Sequence, residues 1–568
     1  MRKKRITVIL CFIISLGLIA GATEASFAAE DALNITAEED GTDTATEEGI
    51  PDIPADADTP DIPAADVPGI ITTPDPAEKT LYLLEEGGEY DTFTNYVLGY
   101  SLKVDPGMRA DMSYSGVCAV LENEHKRIEI YKESLPANVS QYSYISYSNK
   151  FITNAADHTN EYETWTAIDG KTVHILQWSR QKLSRVENDK NYYVSLEILS
   201  GSKEVYSIFV KSDMPFYLSG GYDYLLSDFM TFAPTQSAWM RQSRPVDPED
   251  RGWNQETQDF YQQYFSPDST LQWGIFQPKA PDDFTQLNYL EKSMEYQFPI
   301  LLNYTNFDNT YKHPDLGSRL ENAYKNKITL ELTLQTPGTS EGEGNMVYDV
   351  LNGEYDEFLR NYAKTVKDFG HPVLFRLGNE MNGDWCPYSG WRTSKDTMIF
   401  KEFYRYVHGI FEEAGADNVI WIWNPNGKSF PDFSWNDEVM YYPGDQYVDI
   451  VGLTAYNTGT YYPGENWSEF AELYDPIYEK ATALYGQPLM ITEFASSSVG
   501  GDKNQWIRNM FDHIGSYPEI KVAIWWDGCD WDADGNIARP YFIDETPQIL
   551  QTFKELLNKK PWYWDVLG

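Results

Sequence analysis

The sequence predicts an α/β protein: a (β/α)8 TIM barrel preceded by a smaller, strand-rich α+β domain. Three observations predict it. From about residue 250 onward, short apolar runs alternate with amphipathic stretches, eight times over. Between 81 and 240, β-branched and aromatic runs succeed one another across turn signals, with little helical periodicity. Finally, 568 residues that are 42% hydrophobic and 15% aromatic supply a large barrel core and a second domain, and exclude a disordered chain.

Taken in order, the chain begins with an address. Arg2, Lys3, Lys4 and Arg5 precede the apolar stretch 6–22, and Ser26-Phe27-Ala28 offers a small-x-small cleavage site. These are the three parts of a secretory signal over 1–28, so the protein is expected to be secreted. An uncleaved signal would instead tether the chain to the envelope. Residues 29–80 read as a disordered, acidic, Pro-rich linker. The stretch 30–79 holds 15 Asp/Glu, one Lys and seven Pro, with no aromatic ring to bury.

In 81–240, strand-like runs occupy 96–104, 117–122, 127–131, 162–168, 172–180, 192–199 and 204–211. Asp105-Pro106-Gly107, Asp169-Gly170 and Ser200-Gly201 punctuate them, and 222–232 reads as a closing helix. Trp165 and Trp178 have two readings here, as stacking platforms that would make this a carbohydrate-binding domain, or as core.

In 245–562 the apolar runs are 271–276, 299–304, 328–334, 373–377, 419–423, 447–453, 489–492 and 522–526. Helical patterns lie between them at 356–369, 395–413 and 469–484, and Gly370 and Gly415 mark two helix ends. A doubly wound sheet is the alternative, but 271–279 lacks the Gly-rich first turn that such a fold uses. The barrel is expected to bury its own core, so that deleting 81–240 leaves it soluble.

Composition excludes several partners. A net charge of −43 repels phosphate backbones, so nucleic acid is not expected. Past the N-terminus no apolar stretch reaches the ~20 residues of a membrane span. Cys11 lies inside the signal; Cys118, Cys386 and Cys529 are an odd number, so at least one is a free thiol or an intermolecular partner. The seven His form no zinc-like cluster, and no metal or cofactor is expected. Asp530-Trp531-Asp532-Ala533-Asp534-Gly535 matches half a calcium loop, but Tyr541 stands where such a loop has Glu, so an acidic turn is expected.

Barrel chemistry sits where strands end. The fourth run, Val373-Leu374-Phe375-Arg376-Leu377, leads into Gly378-Asn379-Glu380-Met381-Asn382-Gly383-Asp384-Trp385, and the seventh leads into Glu493-Phe494-Ala495. A carboxylate at a strand end is costly unless used or paired. A lone Glu380 would read as the ion-pair partner of Arg376. Two such carboxylates converging across a barrel are what glycoside hydrolysis requires, one to protonate the leaving oxygen and one to attack the anomeric carbon. Trp385, Trp423, Trp525 and Trp526 stand at or just past strand ends as candidate sugar platforms; adjacent Trp525 and Trp526 point to opposite faces, so only one can reach the cleft.

The segment 375–385 resembles the acid/base motif of glycoside hydrolase family 26, the β-mannanase family of a clan with Glu on strands four and seven. Trp423-Asn424-Pro425-Asn426, Tyr442-Pro443-Gly444-Asp445, Val448-Asp449-Ile450-Val451-Gly452 with Tyr456, and Ile491-Thr492-Glu493 follow in the family's order. The resemblance spans about 250–560. It implies Glu380 as acid/base, Glu493 as nucleophile and Tyr456 as a hydrogen-bond donor to it, with Asn379, Arg376, Trp385, Trp423 and Trp526 binding substrate. The family most often has His where this chain has Asn379; an amide can donate and accept, so the mechanism survives while the sugar stays open. Cys386 replaces a usual aromatic residue, and a Cys386–Cys529 disulfide is not expected. The implied activity is a secreted, monomeric, retaining endo-β-glycanase acting on polysaccharide, β-1,4-mannan first, with β-1,3-1,4-glucan or xylan as alternatives. A non-catalytic polysaccharide-binding protein is the competing class, and the intact Glu pair speaks against it.

Overall fold

The computed structural model describes residues 77–307, 315–338 and 342–559. The signal 1–28 and all of the linker but 77–80 lie outside the described residues; Glu78–Thr80 forms one turn of 3-10 helix.

Eight parallel strands close into a barrel: β1 (Gln272–Phe276), β2 (Ile300–Asn306), β3 (Thr329–Gln335), β4 (Val373–Leu377), β5 (Val419–Trp423), β6 (Ile450–Thr454), β7 (Leu489–Phe494) and β8 (Ile520–Trp526). β8 pairs with β1, Val522 opposite Gln272, which closes the ring. The expected (β/α)8 architecture is therefore present.

Side-chain parity decides what each strand offers. Trp421 on β5 meets Phe375 of β4 and Phe411 of the helix layer, so both strand residues face outward. Their neighbours Ile422 and Arg376 then face the barrel axis. Helix packing follows the same logic. Three helices matter below, α2 (Asp356–Phe369), α3 (Thr397–Ala414) and α4 (Phe470–Leu484), and a short helix α1 (Gln141–Ser148) precedes them. In α2, Leu359, Tyr362, Ala363 and Val366 make one buried stripe, and Gly370 at φ 71° ends the helix in a left-handed turn that a side chain would strain.

The region before the barrel holds two antiparallel sheets. One has four strands in the order 82–85, 91–95, 100–104, 230–231. The other has seven, in the order 109–111, 118–122, 126–134, 204–212, 192–200, 171–179, 159–168. Alternation splits the larger sheet's residues between two cores. Ala119, Leu121, Ile130, Leu196 and Ile208 pack under the small sheet. Cys118, Val120, Tyr131, Trp178 and Phe209, from the other face, join the cluster that contains the barrel core.

This corrects the expectation of a self-sufficient barrel: one hydrophobic cluster spans both regions. Buried polar pairs cross the same boundary. Lys211 Nζ lies 2.6 Å from Asp396 Oδ1, and Lys395 Nζ lies 3.0 Å from Glu197 Oε1. Asp396 also caps α3, accepting from Met398 N at 3.1 Å, and takes the Tyr193 hydroxyl at 3.0 Å. Trp178 is fully buried, which settles it as core, whereas Trp165 is 42% exposed. The closing helix at 222–232 shrinks to Tyr224–Ser227, followed by the two-residue strand Met230–Thr231.

Candidate active site

The two expected carboxylates enter one cleft of about 1150 Å³ at the C-terminal ends of the barrel strands. Asn379, Glu380, Trp385, Tyr456, Glu493 and Trp526 line it.

Glu493 sits in an irregularity of β7. Ile491 pairs with Ala523 and Phe494 with Trp525, so three steps on β7 oppose two on β8. Such a bulge re-aims the side chain it carries. Four donors meet the carboxylate. Arg376 Nη1 donates to Oε1 at 3.0 Å and Asn379 Nδ2 at 3.1 Å. Tyr456 Oη donates to Oε2 at 3.1 Å, and Tyr304 Oη, at the end of β2, donates to the same oxygen. Burial and the charge of Glu493 raise both phenols well above the usual tyrosine range, so they remain donors.

Arg376 does not pair with Glu380, which corrects the simplest reading of a lone Glu380. Its guanidinium instead spans Glu493 and Glu331, the latter at 2.8 Å from Nε. Thr333 Oγ1 and Asn424 Oδ1 accept two further bonds, each at 2.8 Å. Arg376 is wholly enclosed and absent from the cleft wall, so it holds Glu493 instead of meeting substrate. Burial pushes Glu331 up to about 7 against the pull of Arg376.

Glu380 lies on the turn that leaves β4. Gly378 and Glu380 both have left-handed φ, 57° and 56°. For a glutamate that conformation is strained and persists only where its surroundings impose it. Here Glu380 N is held by Asn424 O at 2.8 Å. Trp385 folds back so that its Nε1 donates to Glu380 Oε2 at 3.2 Å. Gly383 permits that fold, since a Cβ there would lie 2.5 Å from the Trp385 ring. Burial, then the charge of Glu493, push the Glu380 carboxyl up to about 8. A protonated carboxyl beside a donor-rich carboxylate is the division of labour between acid and nucleophile.

Asn379 is oriented from three sides. Gln335 Nε2 donates to its Oδ1 at 2.5 Å and Tyr388 Oη to its backbone oxygen at 2.6 Å, leaving Nδ2 for Glu493.

Among the tryptophans, parity separates cleft from core. Trp526 faces the cleft, stacked on Phe276 at 5.0 Å and edge-on to Tyr456 at 6.3 Å. Trp525 faces the helix layer and donates to Tyr541 O at 2.9 Å. Trp423 is a correction. It shares the outward parity of Trp421, is fully buried between Tyr442 and Tyr485, and does not reach the cleft. Tyr304 and Glu331 were not singled out from the sequence. The signals were present: Tyr304 ends a strand-like run, and Glu331 is a lone charge inside an apolar one.

Cys118, Cys386 and Cys529 are all free thiols. The acidic turn after β8 is the hairpin Cys529–Trp531 with Ile537–Pro540. Asp530 there pairs with Arg539 at 2.9 Å, and Asp532 accepts from Tyr461 at 2.7 Å. Among the described residues no helix is long and apolar enough to cross a membrane.

Fold and site together define a glycoside hydrolase domain: a closed barrel with paired carboxylates after β4 and on β7. Residues 314–519, which include both carboxylates, match the model of Glycosyl hydrolase family 26. Endoglucanase H of Acetivibrio thermocellus is 31% identical over 216 residues, 37% of this chain and 23% of that protein. Mannan endo-1,4-beta-mannosidase of Bacillus subtilis strain 168 is 29% identical over 221 residues, 38% of this chain and 53% of that protein. Beta-1,3-xylanase TXYA of a Vibrio species is 23% identical over 239 residues, 37% of this chain and 49% of that protein. The chain thus spans half or less of the length of most of these relatives.

Proposed function

We propose that this protein is an endo-acting β-glycanase that retains anomeric configuration, with β-1,4-mannan as its substrate. The observation that carries the reading is the contrast between the two carboxyls: Glu380 is pushed up by burial and by Glu493, while four donors converge on Glu493. Glu380 gives its proton to the departing glycosidic oxygen as Glu493 Oε attacks the anomeric carbon, forming a glycosyl ester. Glu380, now a carboxylate, then takes a proton from the water that cleaves that ester. Glu493 keeps its aim through Arg376, Asn379, Tyr304 and Tyr456. The basic N-terminus and the apolar stretch 6–22 support export, so the reaction is proposed to occur outside the cell.

Mannan is favoured by the names of several relatives. A second reading is mixed-linkage β-glucan, because the groups that would distinguish the two sugars include Asn379, where the resembled family most often has His. The Gln335–Asn379 amide pair presents hydrogen-bonding groups beside Glu493, where a mannose 2-hydroxyl and a glucose 2-hydroxyl point differently. A relative named an endoglucanase agrees with it. Proton NMR of the first product formed from mannohexaose and from a mixed-linkage glucan hexasaccharide tests both parts. The β-anomer appearing first supports retention, and the α-anomer overturns it. Faster cleavage of the glucan replaces mannan while leaving the two carboxyls in their roles.

A further inference from the structure

Helix α1 belongs to the sheet region before the barrel, yet its last turn forms part of the cleft that holds Glu380 and Glu493. Tyr147 and Lys150 line that cleft together with Trp391 and Arg392 from the loop after β4. The helix begins at Ser140, which accepts from Ser143 N at 3.0 Å. Its buried side, Tyr144, Ile145 and Ser148, packs inward, with Tyr144 edge-on to Phe433 at 4.6 Å. Tyr147, one turn on from Tyr144, lies at the edge of that buried side and is 39% exposed.

That exposed ring is nevertheless fixed. Its hydroxyl donates to Asp384 Oδ2 at 2.9 Å. Its centroid lies 5.7 Å from Trp391 and 6.2 Å from Phe433. The ammonium of Lys150 and the guanidinium of Arg392 lie over Trp391, 5.9 and 4.7 Å from its centroid. Asp384 directly precedes Trp385, the residue that donates to Glu380. An aromatic wall flanked by cationic donors therefore runs outward from the acid, and the buried pairs Lys211–Asp396 and Lys395–Glu197 fix it to the sheet.

A pyranose ring needs a flat apolar surface for its C–H face and donors for its hydroxyls. The exposed Tyr147 ring, backed by the largely buried Trp391, supplies the first, and Lys150 and Arg392 the second. Glu380 must stand beside the oxygen it protonates, so residues beyond it on the same side meet the departing end of the chain. We infer that Tyr147, with Lys150, Trp391 and Arg392, forms a distal sugar subsite on the leaving-group side of the cleft. The region before the barrel is then part of the substrate-binding site. This rests on the glycanase reading above.

The test uses the full chain and two substrate lengths. Wild-type protein is assayed on the hexaose and triose of β-1,4-mannan and of mixed-linkage β-glucan. Cleavage of neither series overturns the glycanase reading itself. On the series that is cleaved, Tyr147→Ala is expected to lower the hexaose-to-triose ratio of kcat/KM by about tenfold, mainly through KM on the hexaose, as loss of one aromatic platform would. Tyr147→Phe, which keeps the ring and loses the bond to Asp384, should retain most of that ratio. Lys150→Glu, at an exposed position, should lower it in the same direction. An unchanged ratio in Tyr147→Ala and Lys150→Glu, with wild type active, overturns the subsite. A fall equal on both lengths assigns Tyr147 to holding the Asp384 loop and also overturns it.

Discussion

Arg376 bridges two carboxylates, Nη1 at 3.0 Å from Glu493 Oε1 and Nε at 2.8 Å from Glu331 Oε1, and among the described residues Glu380 forms no ion pair. The Arg376 guanidinium is thus committed to Glu493 and not to Glu380. That asymmetry separates the two glutamates chemically, although both lie at the C-terminal side of the barrel.

Replacing Arg376 should therefore cost both stability and turnover. Arg376→Met leaves two carboxylates without their shared partner, and breaking such a buried pair costs about 3–5 kcal/mol. Urea unfolding is expected to show a loss of that order, with kcat reduced at least 100-fold on any cleaved glycan. Glu331→Gln should be milder on both counts, because burial already pushes Glu331 up to about 7.

The raised Glu380 carboxyl gives a signed pH dependence. Activity needs Glu380 protonated, so kcat/KM should fall as pH rises through about 8. Glu380→Gln should abolish that basic limb along with most activity. Stability follows the same sign. A carboxyl whose pKa is higher folded than unfolded stabilises most below its unfolded value, and loses that contribution as pH rises through the folded one. Glu380→Gln should then raise Tm relative to wild type at pH 9 and lose that advantage at pH 4. A Tm difference independent of pH contradicts this account of Glu380.

Tyr304 and Tyr456 donate to the same oxygen of Glu493. Each Tyr→Phe substitution should lower kcat by roughly 100-fold, the scale of one preorganised donor. Because they share one acceptor, the double variant should fall short of the product of the singles. Kinetics of the three variants on one soluble hexasaccharide check this.

Removing 81–240 should not leave a soluble barrel. The larger sheet's outer face and the barrel share one hydrophobic cluster, and truncation would strip Asp396 and Lys395 of Lys211 and Glu197. Expression of 241–559 alone is expected to give aggregate, judged by size-exclusion chromatography. A monomeric, cooperatively folded fragment would contradict the shared core.

Barrel strands were legible because each is a short apolar run between helical patterns; β4 and β5 match their apolar runs residue for residue. Strands 82–85, 91–95 and 109–111 were missed, being short and interleaved with polar residues. Glu380 and Glu493 could be read because strand ends are where barrels do chemistry. Tyr304 and Glu331 leave a signal each, but not their partners, since only the closed ring brings Tyr304 to Glu493 and Glu331 to Arg376. Strand-end position alone places Trp423 at the cleft, whereas parity sets it with Trp421, two residues earlier, which faces the helices. The shared core was hidden for a similar reason: alternation in 118–122 and 192–200 shows two apolar faces, and says nothing of what covers the second.

The central claim, that Glu493 attacks and Glu380 protonates, meets its most direct test in an aryl glycoside with a good leaving group. Wild type, Glu380→Ala and Glu493→Ala are compared on the 2,4-dinitrophenyl β-glycoside of the disaccharide unit that wild type cleaves. Dinitrophenolate departs without a proton, so Glu380→Ala should retain a measurable fraction of the first-step rate, while Glu493→Ala should show none. Equal loss in both variants, or greater retention in Glu493→Ala, would contradict the assignment.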